Sequence, residues 1–176
     1  MMNFSNKRLY SLALIIAIGL SIYSIQAYRN IQREMGKRYM GIHTNIETSL
    51  DLVKVDLVRF ENNQEDKSIL LPLLGKINEL KHISYYTPPV NGIYPFLLRE
   101  IEVKLIAIEK GGLEEAKADA ALEEIYTTFE LIEAVSKIIA EKIAEDNPIG
   151  FFREIESTNS KTFKRINEIY NDFAKK

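Results

Sequence analysis

The sequence predicts an all-α protein in which an N-terminal transmembrane helix continues into an elongated antiparallel helical bundle, five helices in total, the second and third short. Three observations predict it. Leu9 to Tyr28 contains no charged residue. From Ile31 to Phe60 the apolar residues hold one helical face without a gap. No useful length of chain alternates apolar and polar residues with period 2, so no strand is expected. Residues 1–28 are then a membrane anchor, a short leader plus one span, and residues 29–176 a helical-bundle domain.

The anchor comes first. At 1.5 Å per residue, Leu9 to Tyr28 makes a helix of roughly 30 Å, the thickness of a bilayer's hydrocarbon core. Lys7, Arg8 and Ala27 also fit the leader and cleavage site of a signal peptide. The apolar part is longer than a signal core, however, and Ile25 and Ala27 make a poor small-residue pattern, so a retained single-pass anchor is expected. Tyr10 and Tyr28 bracket the run as interfacial tyrosines do. Ala13, Ala17 and Ser21 share one stripe, a seam able to pack on another span and also ordinary membrane-helix composition. Arg29, Arg33, Lys37 and Arg38 follow directly and can meet anionic lipid headgroups, each worth about 1 kcal/mol at a charged surface. A strict Lys/Arg count puts the large domain in the cytoplasm. Translocation of a long domain behind a basic leader puts it outside, and the outside is the expectation.

The next segment is the most regular. Ile31, Met35, Tyr39, Ile42, Ile46, Leu50, Val53, Leu57 and Phe60 step by 4, 4, 3, 4, 4, 3, 4 and 3, with Leu52 and Val55 expected to broaden the stripe. The 4-4-3 steps repeat every 11 residues and predict a helix that runs nearly straight or with a slight right-handed coil. Nothing at Tyr28-Arg29 signals a stop, so one helix is expected from about Arg8 to Glu61, with Gly36 and Gly41 as soft spots. A polar turn, Asn62 to Asp66, precedes a second helix over Lys67 to Ser84 that buries Leu70, Leu73, Ile77, Leu80 and Ile83 or Ser84. Tyr85 to Gly92 holds Pro88, Pro89 and an Asn-Gly pair and cannot be helical.

Tyr94-Pro95 opens a third helix with Leu97, Leu98, Ile101, Leu105 and Ile108 inward, stopped by Gly111-Gly112. Leu113-Glu114-Glu115 starts a fourth that runs to Glu145, burying Leu122, Ile125, Phe129, Ile132, Val135, Ile139 and Ile143. Asp146 to Gly150 breaks it. A fifth runs to about Ala174 with Phe152, Ile155, Phe163, Ile166, Tyr170 and Phe173 inward. The short second and third helices, paired as a hairpin, would fill half of a bundle of long ones.

The composition excludes much chemistry. With no cysteine there is no disulfide, zinc–thiolate site, iron–sulfur cluster or cysteine nucleophile. A formal net charge of −2 argues against a nucleic-acid binder. Glu79 and His82 have the Glu-x-x-His spacing of bundle metal sites, but a di-iron centre needs two such motifs, and His43 completes none; a surface pair is the expectation. His43 and Glu47, one turn apart, read as a helix-face pair with a pH-sensitive pair as the alternative. The acidic fourth helix reads as a solvated face carrying salt bridges. No cofactor, metal or catalytic residue is expected. Tyr85, Tyr86, Pro88, Pro89, Tyr94 and Phe96 form either a partner-binding surface or a cap on the bundle core.

The outline is similar to four-helix sensory domains of bacterial receptors, in architecture alone, and departs from them because no second span follows the last helix. The expected function is that of a non-enzymatic membrane-anchored scaffold or accessory subunit. Its expected partners are membrane lipids and another protein or further copies of itself. The alternative is an extracytoplasmic sensor-like bundle taking a small molecule between its helices, and a metal-dependent enzyme stands third.

Overall fold

A computed structural model describes residues 4–63, 66–111 and 115–175, with no strand among them. The first helix, α1, is unbroken over Phe4–Glu61, 58 residues or roughly 87 Å. Its apolar half has nothing packed on it: Tyr10, Leu14, Leu20 and Tyr28 are all at least 60% exposed. Among the described residues this is the one helix long and apolar enough to cross a membrane. α1 ends where Asn62 returns both its backbone and its side-chain N–H to the Val58 carbonyl.

A 3-10 turn at Lys67–Ile69, capped by Asp66, leads into α2, Leu70–Tyr85, with Pro72 in its first turn, where no N–H is missed. A second 3-10 turn at Val90–Gly92 leads into α3, Tyr94–Glu109. Gly111, at φ 64°, ends α3 in the left-handed conformation that glycine adopts without strain. The Lys67 ammonium reaches the Glu109 carbonyl at 3.4 Å and satisfies the end of α3. Gly112 and Leu113-Glu114, the expected stop and restart, lie outside the described residues, and α4 is described over Glu115–Ile143.

The expected fifth helix is two. α5 spans Pro148–Glu156 and α6 Lys161–Phe173, which makes six helices among the described residues. The reason is local. Ser157-Thr158-Asn159-Ser160 is a run of residues that compete with the helix for backbone hydrogen bonds. Ser157 is extended, and the Ser160 hydroxyl accepts the Phe163 N–H at 3.0 Å as the N-cap of α6.

α1 to α4 form the ring of the bundle, and each neighbouring pair is crossed by an ion pair among the described residues: Lys76–Asp56, Lys81–Glu102, Lys104–Glu124 and Lys54–Glu133. The core is the expected one at its centre, with Val53, Leu57, Leu70, Leu73, Ile77, Ile101, Leu105, Ile125, Ile132 and Val135 at 0% exposure. The α2–α3 hairpin covers the distal half of the bundle portion of α1. α5 crosses the proximal half, and α6 folds back along α4, held by Arg165–Glu141. Leu52 and Val55 do not join the core. They are 52% and 63% exposed, because α2 and α4 approach α1 from other sides.

Candidate functional site on the proximal face of α1

The proximal part of α1 is packed one residue out of phase with its apolar pattern. Ile31, expected inside, is 61% exposed, and Met35 and Ile42 are half-buried. The buried positions are Gln32, Gly36 and His43. The cause is the approach of α5. A Cβ on Gly36 would stand 1.9 Å from the Pro148 carbonyl oxygen, so the two backbones meet where α1 has no side chain. Gly36 is thus a contact position and not a soft spot, whereas Gly41 has open space around it.

The polar residues drawn inside are satisfied. Arg153 of α5 donates to the Gln32 side-chain carbonyl at 3.1 Å. His43 Nε2 lies 2.8 Å from the Pro88 carbonyl oxygen, to which it donates, and its ring meets the Phe151 ring edge-on at 5.9 Å. Burial pushes the imidazole down to about 4, outweighing the Pro88 hydrogen bond that pulls the other way. Glu47, the expected partner, is exposed and not bonded to His43; that expectation gives way to the backbone contact. Tyr39 stacks on Phe152 at 6.1 Å with rings 5° from parallel. Its phenol, bonded to Glu156, is held above its ordinary range first by burial and then by that carboxylate.

Rotation of the core leaves an open groove of about 480 Å³ between α1 and the end of α2. Met35, Tyr39 and Ile42 line it from α1, and Ile83 and Tyr86 from α2 and its end. Arg38 and Asn45 are its polar residues on α1, beside Thr87.

The aromatic stretch after α2 is divided between surface and core. Tyr85, Tyr86 and Phe96 are 50%, 82% and 51% exposed. Pro88 is half-buried and Pro89 buried. Tyr94 is withdrawn from any surface: it is 1% exposed and donates to the Ile132 carbonyl at 3.2 Å. A large ring two residues after Gly92 that opens a helix packs on that helix's inner face, so of the two readings of this stretch Tyr94 fits the cap on the core and not the partner-binding surface.

Of the anchor residues, Tyr10, Ala13, Ala17, Ser21 and Tyr28 are exposed on α1, and the Leu9 side chain lies outside the described residues. Arg29, Arg33, Lys37 and Arg38 are all exposed. The first three follow one face at four-residue steps, and Arg38 turns to the groove. Glu79 and His82 are exposed, and no group of residues able to hold a metal ion occurs among the described residues. Glu124, Glu133 and Glu141 of α4 are engaged by Lys104, Lys54 and Arg165.

Sequence reasoning missed Gln32, Phe151 and Arg153. A signal existed for the first: Gln32, Gly36 and His43 are polar or small at helical spacing, a second face beside the apolar one. The chain matches no known protein family, no curated protein and no solved structure.

Proposed function

We propose that the chain is a single-pass membrane protein acting as a non-enzymatic scaffold or accessory subunit, which holds a rigid helical bundle at the outer membrane face for partner proteins to dock on. The observation that supports this most is α1 itself. One unbroken helix carries an uncovered apolar half and, without a joint, the central strut of the bundle. In water that uncovered half would be an aggregation liability; in a bilayer it is an anchor. A helix continuous across the boundary keeps the bundle at a set height and angle, as a docking platform requires. The groove beside α1 adds an apolar surface that the chain leaves open.

A sensor-like bundle that binds a small molecule is the competing reading. It draws on the same groove, but small-molecule sites bury most of their ligand, and this groove opens to solvent outside the core.

Membranes from cells expressing the full chain test the proposal. The protein is expected to resist carbonate extraction, to give reporter activity only outside when a reporter follows Lys176, and to migrate above monomer mass in mild detergent. Extraction by carbonate, or a monomer of intact biological activity, would overturn it.

A further inference from the structure

We propose that the groove beside α1 seats the juxtamembrane helix of a different single-span membrane protein, one that runs parallel to α1 and carries a carboxylate opposite Arg38. The inference rests on the membrane-anchored reading and names the chemistry of the partner.

The groove is the far end of a longer face. Tyr28, Ile31, Met35, Tyr39 and Ile42 step by 3, 4, 4 and 3 along a straight helix, so they share one side of α1. Continued backwards with the same steps, that side carries Ser21, Ala17 and Ala13, small residues that let another helix come close. Its near part is uncovered, with Tyr28 and Ile31 60% and 61% exposed; farther on Phe152 stacks on Tyr39, Met35 and Ile42 stay half-buried, and Tyr86 at the groove's edge is 82% exposed. From Met35 to Asn45 the groove runs about 15 Å along α1, close to three turns of an apposed helix. It lies about 10–25 Å beyond Tyr28, above the reach of lipid tails, and is open along its length, which suits an apposed helix better than a small molecule that must be enclosed.

Charge decides which protein. Arg38 lines the groove, and no carboxylate among the described residues makes an ion pair with it; its neighbour Glu34 is taken by Lys37 at 3.4 Å. A helix laid in the groove would desolvate this guanidinium and must supply an acid to it. A second copy suits this less well. Two copies insert with the same orientation, and a parallel two-fold pairing through this face sets one Arg38 against the other.

The test uses the full chain in its native membranes, with photoreactive p-benzoylphenylalanine placed at Met35, Ile42 or Tyr86, and at Asp51 on the opposite face of α1. Light is expected to join the first three, and not Asp51, to one protein of distinct mass that has a single span. Arg38→Glu should lower the yield by roughly tenfold, and exchange of the partner's acid at the joined level for arginine should restore it. Arg38 is exposed and makes no hydrogen bond or ion pair with the described residues, so an unchanged unfolding midpoint will show that Arg38→Glu leaves the bundle intact. A product of twice the chain's mass, adducts with lipid alone, or a yield indifferent to Arg38→Glu would each overturn the proposal. If the chain resists carbonate and assembles while the groove positions join to nothing, the groove inference fails and the scaffold reading stands.

Discussion

Two glycines on α1 behave oppositely. At Gly36 an added methyl group meets the Pro148 carbonyl, and either α5 withdraws or α1 bends. Gly36→Ala is expected to destabilise the bundle by about 3 kcal/mol, at the upper end of overpacking, measured by denaturant unfolding. Gly41 has open space and a helical backbone, so Gly41→Ala is expected to gain about 1 kcal/mol from helix propensity in the same measurement. His43 makes a second prediction. Its folded pKa of about 4 lies below the ordinary 6.5, so the fold favours the neutral ring. Below about 6.5 the unfolded chain gains a proton that the folded chain refuses until about 4. The His43 contribution is therefore full above that window and is lost as pH falls through it, by on the order of 3 kcal/mol in total. Unfolding curves of the native chain and His43→Gln between pH 7 and 4 should converge as the pH drops; parallel curves would refute the assignment. The spacing of Gln32, Gly36 and His43 marks a second face in the sequence, but what Gly36 and His43 meet there was not legible, because it depends on which helix arrives opposite them.

Elements were more legible than residues. The apolar periodicity located α1 to α4 and most of their inward positions, since a helix face is a local property of the chain. The failures fall where two local signals compete. Ile155 and Phe163 lie eight residues apart, in phase for one helix, but the capping chemistry of Ser157 to Ser160 between them ended it. Ser160→Ala is expected to lose about 1 kcal/mol of stability by removing the cap on the Phe163 N–H, with the loss read as increased amide exchange confined to the start of α6. α1 shows the other kind of failure. Its stripe from Ile46 to Phe60 faces the core as the pattern says, but from Ile31 to Ile42 the buried face rotates toward α5. The apolar residues left behind line the groove.

At the scale of the molecule, the bundle owes nothing to the apolar half of α1, which touches no other element. Residues 29–176 expressed alone are therefore expected to fold as a helical domain with an unfolding midpoint within about 2 °C of the full chain in the same mild detergent. A marked fall would show that the apolar half contributes packing beyond its own helix.

The sequence by itself determined the helical class, the position of the long apolar run, its continuity with the first bundle helix and the centre of the core. Each of these follows from hydrophobic spacing and chain stiffness, which are properties of neighbours in sequence. Only the tertiary structure decided that Gly36 is a crossing point, that His43 is buried neutral beside Pro88, that Tyr94 is core while Tyr86 is surface, and that α1 keeps an uncovered groove. Those depend on where α5 and the α2–α3 hairpin come to rest on α1, set by the backbone contact at Gly36 together with partners distant in sequence, and no local pattern contains that information.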